Sequence, residues 1–339
     1  MKGEPMTRRE LIRALGTAAL SAFPAAAFTA GRRQPEKRQA AGPILRVALI
    51  PCSDYEPKSL LEAIRAGWRL TRPPDVNSKR VVIKPNIADF AANRPIHTHV
   101  RLVEALILHL RELGAREILL AEGPPQNRDS EWLFQQCGFE AMARHRSVPL
   151  IDLNYDNIRS IKNVNPRATL LRDLYLPETI LSAEVLISVA KMKTHKLAGI
   201  TLSLKNMFGI VPGIKYGWPK NTLHWNGIPQ SICEINGTIK THYSIVDGVV
   251  GMEGHGPIMG TAKKTGVIVM GDNALSVDAT AARIMGIDPA RVDYLAMAQR
   301  IKLGFLRREN IDVTGERIEN VRTDYVLDSE FSFLRAPNG

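Results

Sequence analysis

The 339-residue sequence predicts an α/β fold, in which a mostly parallel sheet is flanked by helices. Segments with a helical hydrophobic period alternate with short apolar runs, and this order is typical of parallel strands joined by helices. The runs at residues 81–83 and 185–189 lack the polar alternation of a half-exposed strand, so we expect both of their faces to be buried. Polar residues gather directly after the apolar runs, as they do at the ligand-binding edge of such a sheet.

Each predicted element follows from its local pattern. Runs rich in Val, Ile and Leu predict strands at residues 44–50, 81–83, 117–121, 148–153, 170–176, 185–189, 244–246 and 267–270. Apolar residues that recur every three or four positions predict helices at residues 57–70, 100–113, 130–137, 202–208, 228–239, 274–285 and 288–300. Gly114 and Gly286 directly follow two of these helices, and Pro289 stands at the first turn of another, where a proline is tolerated.

Composition divides the chain into four segments. We assign a signal peptide to residues 1–27, a basic linker to 28–42, a single α/β domain to 43–305 and a weakly patterned C-terminal extension to 306–339. Two α/β lobes that meet near residues 155–170 are the alternative to a single domain. No apolar run reaches the roughly 18 residues that span a bilayer, so we expect no transmembrane span.

The N-terminus has the features of an export signal. Arg8 and Arg9 precede a weakly apolar, alanine-rich run at residues 14–28, and Ala25-Ala26-Ala27 supplies the small residues of a cleavage site. The segment resembles a twin-arginine signal. This resemblance implies recognition by the twin-arginine export machinery and a periplasmic or other extracytoplasmic location. Whether the signal is cleaved or kept as an anchor stays open.

Charge and cysteine content exclude several classes of protein. The formal net charge is +11, but residues 1–42 hold eight basic and only three acidic side chains, so the body is only mildly basic. It lacks basic runs interleaved with aromatic residues, and we expect no nucleic-acid binding. Cys52, Cys137 and Cys233 are too few and too scattered for an iron–sulfur cluster, so none is expected, and we predict buried, inert thiols.

Polar side chains follow three of the predicted strands. Lys84 and Asn86 follow the strand at 81–83, Glu122 follows the next strand, and Asp247 follows the strand at 244–246. In open α/β sheets ligands bind beyond the carboxyl ends of the strands. We therefore expect these side chains to converge at one edge of the sheet.

The segment at residues 191–209 is the strongest indication of a site. It holds four lysines and one histidine within fifteen residues and contains no carboxylate. Such uncompensated positive charge is stabilised by a bound anion. Apolar neighbours predict that Lys205 and Asn206 are buried and need partners, and Lys193 and His195 follow the preceding predicted strand. The segment predicts an anionic small molecule as ligand.

A second segment, residues 247–260, contains five glycines in fourteen residues. Gly254 and Gly256 would let backbone N–H groups approach an anion, although the spacing matches no nucleotide-binding fingerprint. Glu253 and His255 could act as an acid/base pair or as metal ligands. A divalent metal ion in the site is therefore one alternative, and a structural role for the histidine is the other.

Several of these blocks resemble the family called domain of unknown function 362. They are Ile83-Lys84-Pro85-Asn86, the stretch from Lys193-Thr194-His195 to Lys205-Asn206-Met207-Phe208-Gly209, the glycine-rich segment and Val277-Asp278. The family's motif positions fall here on Lys84, Asn86, His195, Lys205, Asn206, Asp247, Glu253 and Asp278. The resemblance implies little about activity, since the family's biochemistry is largely unassigned. Many members carry a ferredoxin-like segment with two cysteine-rich motifs, which this chain lacks.

Three functions are compatible with these features. The first is an exported enzyme acting on an anionic small molecule, the second a non-catalytic protein that binds such an anion, and the third a cofactor-dependent redox protein. The candidate catalytic residues are Lys193, His195, Lys205, Glu253 and His255. The candidate ligand-binding residues are Lys84, Asn86, Glu122, Asn206, Asp247, Gly254, Gly256 and Asp278. A serine hydrolase is disfavoured because the Gly-x-Ser-x-Gly elbow is missing.

Overall fold

One mixed sheet organises the chain in the computed structural model, which describes residues 44–125 and 129–335. The strands are β1 (Leu45–Pro51), β2 (Arg80–Pro85), β3 (Glu117–Glu122), β4 (Leu150–Asp152), β5 (Ile158–Lys162), β6 (Asp173–Pro177), β7 (Val185–His195), β8 (Gly199–Thr201), β9 (Tyr243–Glu253), β10 (Thr261–Gly271) and β11 (Ile311–Gly315). Their order in the sheet is β11-β1-β10-β9-β7-β2-β3-β4, with β8 paired to β7, while β5 and β6 form a separate pair. The predicted signal peptide and basic linker lie outside the described residues.

The sheet is mostly parallel. Strands β11 and β1 are parallel, as are the successive neighbours from β9 through β7, β2 and β3 to β4. Only β10 within this path, and the short β8 beside β7, pair antiparallel with their neighbours. The predicted fold class, a mostly parallel sheet flanked by helices, is therefore confirmed.

Helices cover both faces of the sheet. They are α1 (Pro57–Leu70), α2 (Val100–Glu112), α3 (Ser130–Gln136), α4 (Phe139–His145), α5 (Glu178–Leu181), α6 (Ser203–Asn206), α7 (Gly213–Tyr216), α8 (Asn221–Trp225), α9 (Ile228–Thr238), α10 (Ala274–Ile284), α11 (Asp293–Arg300) and α12 (Ile318–Val321). Short 3₁₀ turns lie at Met207–Ile210, Pro289–Arg291, Arg308–Asn310 and Ser329–Leu334.

Two hydrophobic cores lie on opposite faces of the sheet. Successive side chains of a strand alternate between faces, so Val82 of β2 joins one core and Ile83 joins the other. The core that contains Val82 also takes Ile232 of α9 and Val277 of α10, which we call the α9–α10 face. The core that contains Ile83 packs against α1 and α2 and is called the α1–α2 face.

Strands β7 and β9 are longer than their apolar runs. The sequence predicts strands at 185–189 and 244–246, but β7 continues to His195 and β9 to Glu253. Polar residues continue both strands because their side chains find partners: Lys191 and Asp247, opposite each other in the register, form a buried ion pair. A register shift between Lys191 and Lys193 separates that pair from the end of β7.

The helix predicted at 288–300 is interrupted. Pro289–Arg291 forms a 3₁₀ turn, and α11 begins only at Asp293 because Val292 has extended backbone geometry. The Asp288 side chain accepts a hydrogen bond of 2.9 Å from the Ala290 N–H and so caps the short turn. A local cap thus competes with the longer helix that the hydrophobic spacing favours.

The C-terminal part of the described chain is integrated into the fold. Within the segment predicted as a weakly patterned extension, β11 adds a parallel strand beside β1, and the Tyr325 side chain is fully buried. The described residues all belong to one compact unit. Among the described residues, no helix combines the length and apolarity that a membrane crossing requires.

Candidate functional site

A cavity of about 70 Å³ lies where β2, β3 and β7 end, beside α6. It is lined by seven of the side chains that the sequence predicts for a site: Lys84, Asn86, Glu122, Lys193, His195, Lys205 and Asn206. Residues separated by more than one hundred positions thus meet at the carboxyl edge of the sheet. The structure brings this part of the predicted constellation together.

A buried ion pair forms one wall of the cavity. The Lys84 Nζ donates to both Glu122 carboxylate oxygens, at 2.7 and 2.8 Å, and neither side chain is appreciably exposed. Glu122 also accepts from the backbone N–H groups of Ile87 and Gly123. Gly209 packs closely against this pair, because a Cβ at that position would collide with both charged groups. The single carboxylate of the cavity is therefore already neutralised.

The orientation of two asparagines follows from that lysine. Since an ammonium group only donates, Asn206 turns its Oδ1 towards Lys84 at 3.1 Å, and its Nδ2 donates to Ser188. The Asn206 Oδ1 also accepts from the Asn86 Nδ2 at 3.2 Å. The Asn86 Oδ1 is therefore buried and has no hydrogen-bond partner among the described residues. The same is true of the Oγ1 of Thr201, which also lines the cavity.

Lys193 is buried and has no carboxylate partner in the described part of the chain. Its Nζ makes one hydrogen bond, of 2.7 Å, to the carbonyl oxygen of Ile96. Burial, together with the positive charges of Lys205 and Lys191, lowers the pKa of Lys193 to about 7. At neutral pH this amine therefore exists in both protonation states.

Lys205 is the second cation of the cavity without a carboxylate. Its Nζ lies 4.2 Å from the centre of the Phe208 ring. Burial lowers the pKa of Lys205 to about 8, and the nearby charge of Lys84 acts in the same direction. Lys205 is half-buried, and among the described residues its ammonium group faces an aromatic ring, which compensates little for the hydration it loses.

Lys220 lies next to the cavity but does not line it, and no sequence pattern indicates it. Its side chain is fully buried, and its Nζ donates to the carbonyl oxygens of Gly123 at 2.8 Å and Gly209 at 3.2 Å. Burial lowers the pKa of Lys220 to about 7. It belongs to none of the motif blocks and follows no predicted strand, so the sequence offered no signal for it.

His195 presents a hydrogen-bond donor rather than a free base. Its Nδ1 accepts from the backbone N–H groups of Leu197 at 3.1 Å and Ala198 at 3.3 Å. Burial, together with the charge of Lys205, lowers the pKa of His195 well below its usual value. The ring is therefore neutral with its hydrogen on Nε2. This tautomer suits donation to an anion and disfavours metal binding through Nε2, one of the roles expected from the sequence.

Asp278 holds α6 in place and does not line the cavity. Its carboxyl oxygens accept from the N–H groups of Ser203 at 2.7 Å and Leu204 at 2.9 Å, at the start of the helix that carries Lys205 and Asn206. Burial raises the pKa of Asp278 to about 8, and the two N–H groups oppose that shift. Its predicted ligand-binding role becomes a positioning role.

Asp247 belongs to a separate polar cluster on the α1–α2 face. It accepts from the Lys191 Nζ at 3.0 Å, from the Tyr55 hydroxyl at 2.8 Å and from the His99 backbone N–H at 3.0 Å. His99 also caps α2, since its Nδ1 accepts from the Arg101 N–H. Asp247 thus compensates Lys191 and does not line the cavity.

The structure does not bring Glu253 and His255 into the cavity. The Glu253 carboxylate accepts from the Val326 N–H and pairs with Lys263 at 3.3 Å. The His255 side chain is 61% exposed and contacts Asp328. The predicted acid/base or metal pair is therefore corrected, because these strand-end and loop side chains have partners of their own.

The glycine-rich loop reaches the cavity only at its rim. Pro257 is among the lining residues, whereas Gly254 and Gly256 are not. Gly256 packs against the Thr194 backbone, where a Cβ would collide with the carbonyl oxygen, and Gly254 has a φ of +74°. Gly256 is therefore needed for close backbone packing against β7, and Gly254 for its left-handed backbone conformation.

Metal ligands are not grouped in the described part of the chain, where no three His, Cys, Asp or Glu side chains lie close enough to hold an ion. Cys52, Cys137 and Cys233 are unpaired and buried, as expected. Burial raises the pKa of Cys137 and that of Cys233 to about 12, which keeps both as unreactive thiols.

Comparison with known proteins supports the motif resemblance. A thylakoid-associated protein of Synechocystis sp. is 24% identical over 269 residues, which cover 76% of this chain and 79% of that protein. A Thermotoga maritima protein of known crystal structure matches with a TM-score of 0.39 and 14% identity, over 58% of this chain and 51% of its own. The model of the domain of unknown function DUF362 matches residues 81–283, more than half of the chain. The chain therefore belongs to the DUF362 family.

Proposed function

We propose that the chain is an exported enzyme that acts on an anionic small molecule bound in the cavity at the carboxyl edge of the sheet. One observation carries the proposal: Lys193 is buried and Lys205 half-buried at this cavity, and neither has a carboxylate partner among the described residues. Buried charges in proteins are normally paired. A ligand with at least one negative charge would supply the missing partner.

The charge balance of the cavity favours an anion. Lys84 and Glu122 neutralise each other, so the protonated forms of Lys193 and Lys205 leave a net positive charge. The neutral His195 adds a ring N–H donor, and the Thr201 hydroxyl lacks a partner. Buried polar atoms normally have hydrogen-bond partners, and oxygens of a bound anion would provide them.

The same groups can do chemistry. An amine whose pKa lies near 7 can take up or release a proton at neutral pH, so Lys193 is the best candidate for proton transfer to or from the ligand. Lys205 and the His195 N–H would hold the negative charge, and the Lys84–Glu122 pair would keep the wall rigid. A non-catalytic binding protein would use the same cations without turnover.

Titration with small anions tests the proposal. We expect phosphate or lactate to bind the purified protein by calorimetry and to raise its melting temperature. Lys205→Gln removes one charge-assisted hydrogen bond, worth about 1.5–3 kcal/mol, and should weaken binding about tenfold or more. Lys196→Gln is the matched control, since Lys196 lies in the same segment but is exposed, and it should leave the affinity unchanged.

Two results would contradict the proposal. If no small carboxylate, phosphate or sulfate binds or stabilises the protein, the cavity is not an anion site. If an anion binds equally to the Lys205→Gln variant and to the unaltered protein, binding occurs elsewhere.

Export is the second part of the proposal and rests on the leader. The paired Arg8 and Arg9, the alanine-rich run and the small residues that follow resemble a twin-arginine signal. We place the mature protein in the periplasm or another extracytoplasmic space, where it would meet its substrate after folding.

A further inference from the structure

We infer that Lys193 is a nucleophile that forms an imine with the carbonyl carbon of a small 2-oxo carboxylate. The inference deepens the proposed function and rests on it, because the carboxylate of this substrate would be the anion that the cavity binds. Its basis is a comparison of the buried lysines around the same sheet edge.

Two of those lysines are fully compensated by carboxylates. Lys84 contacts both oxygens of Glu122, and Lys191 contacts Asp247 at 3.0 Å together with the Tyr55 hydroxyl at 2.9 Å. Each is therefore held as an ammonium ion inside the protein. An ammonium held this way has no free electron pair and cannot attack a carbonyl.

Lys220 is compensated differently. Its Nζ lies within hydrogen-bond distance of three carbonyl oxygens, those of Gly123, Phe208 and Gly209, and it is absent from the lining of the cavity. These acceptors match the three N–H groups of an ammonium ion. The position of Lys220 therefore makes it part of the wall.

Lys193 differs from all three. It lies on β7, is buried, lines the cavity and has a single acceptor, the Ile96 carbonyl oxygen. Burying a cation with so little compensation is costly, so the neutral amine is comparatively favoured. The pKa of Lys193, lowered to about 7 by burial and the neighbouring positive charges, agrees with that geometry. A lysine desolvated beside another cation is one of the known ways to activate an amine nucleophile.

The rest of the cavity suits a substrate with a carboxylate beside its carbonyl group. Lys205 offers a second positive charge, and the neutral His195 ring offers an N–H donor. The volume of about 70 Å³ corresponds to about five waters, which is close to the size of a three-carbon oxo acid. One lysine can thus bind the carboxylate while the other attacks the neighbouring carbon.

The reaction balances without any further reactant. The neutral Lys193 Nζ adds its electron pair to the carbonyl carbon, and one of its two protons passes to the carbonyl oxygen to give a neutral carbinolamine. The hydroxyl group then leaves together with the remaining proton of that nitrogen, which releases one water and leaves a carbon–nitrogen double bond. No oxidation or reduction occurs in either step, and water reverses both.

Reductive trapping tests this step. The full chain would be incubated with pyruvate, treated with sodium borohydride, digested and analysed by mass spectrometry. We expect a reduced pyruvate adduct on Lys193, and only a trace on the exposed Lys196, at pyruvate concentrations that saturate binding. The Lys193→Arg variant should lose the adduct, and the experiment on the unaltered protein remains decisive even if that variant does not fold.

Two further probes separate the inference from the proposed function. Lactate has the carboxylate without the carbonyl, so it should raise the melting temperature but give no adduct. Acetone has the carbonyl without the carboxylate, so it should label Lys193 much less than pyruvate does. If lactate and pyruvate bind but borohydride traps nothing on Lys193, or traps Lys205 instead, the inference is wrong and the anion site stands. If neither lactate nor pyruvate binds and borohydride traps no adduct, both the imine inference and the anion site on which it rests are overturned.

Discussion

At the scale of single residues, Lys193 and Lys205 differ from the other lysines of their segment in what surrounds them. Lys191 has a carboxylate partner and Lys196 faces solvent, although all four lie within fifteen residues. The partner of Lys191 is Asp247, 56 positions away in the chain. The local sequence indicates a cluster of cations, but only the long-range pairing decides which of them are left for a ligand.

The two uncompensated lysines predict how anion binding depends on pH. Burial and the positive charges of Lys205, Lys191 and Lys84, opposed by the negative charge of Glu122, lower the pKa of Lys193 to about 7, and burial lowers that of Lys205 to about 8. Both lose their charge as the pH rises, so the affinity for lactate, whose charge is constant there, should fall between pH 6 and pH 9. Calorimetry across this range checks the prediction, and an unchanged affinity would contradict it.

Local sequence also misjudged two charged residues of the predicted site. Glu253 and His255 are near each other and near a glycine-rich turn, a pattern that suggested an acid/base pair. Their side chains instead contact Lys263 and Asp328. Those partners lie on β10 and near the C-terminus, and nothing in the local spacing reveals them.

At the scale of secondary structure, the four-residue helix α6 is held by a distant side chain. A helix this short cannot be stable alone. Asp278 of α10 accepts hydrogen bonds from its first two N–H groups, and α6 in turn carries Lys205 and Asn206 into the cavity. The sequence predicts a helix here from apolar spacing, and the structure adds the reason for its position.

This arrangement predicts the effect of Asp278→Asn. The amide keeps the shape of the side chain but turns an NH₂ group towards one of the two backbone N–H donors. We expect a loss of about 1–3 kcal/mol in the free energy of unfolding, measured with urea, and weaker lactate binding because Lys205 shifts. Asp288→Asn is the control: Asp288 also accepts a backbone N–H but lies on a different turn, so lactate affinity should not change. Unaltered stability and affinity in Asp278→Asn would argue against the positioning role.

The lengths of β7 and β9 show why the sequence underestimates these strands. Hydrophobic runs end at Val189 or Val246, whereas the hydrogen-bonded pairing continues through Lys191 and Asp247. Residues that read as loop from their polarity are strand residues whose charges cancel across neighbouring strands. Lys193 lies where β7 reaches the cavity, and among the described residues no carboxylate on a neighbouring strand balances its charge.

At the scale of the whole molecule, the order of strands and helices was predictable and the assembly of the site only in part. Alternation of apolar runs with helical periods is a local signal, and it predicts the mostly parallel sheet that the structure shows. The rule that ligands bind at the carboxyl edge of such a sheet predicts that polar side chains meet there, and seven of them line one cavity. Lys220 and Tyr55 were missed because only tertiary packing gives them their partners.

The export proposal also belongs to the whole molecule. Replacing Arg8 and Arg9 together by Lys should keep the protein in the cytoplasm, because the twin-arginine machinery recognises the arginine pair. The basic linker provides a control. Arg32 and Arg33 form a second arginine pair there, and their replacement by Lys should not affect export. Fractionation followed by immunoblotting measures both, and equal periplasmic amounts in the two variants would contradict the proposal.

The most direct test of the central claim is a crystal structure grown with selenate, whose anomalous scattering locates the anion. We predict a selenate ion in the cavity within hydrogen-bond distance of the Nζ atoms of both Lys193 and Lys205, and its loss from crystals of Lys205→Gln grown in the same way. A cavity that holds only water at saturating selenate, or a selenate that persists unchanged in the variant, would contradict the assignment of an anion site.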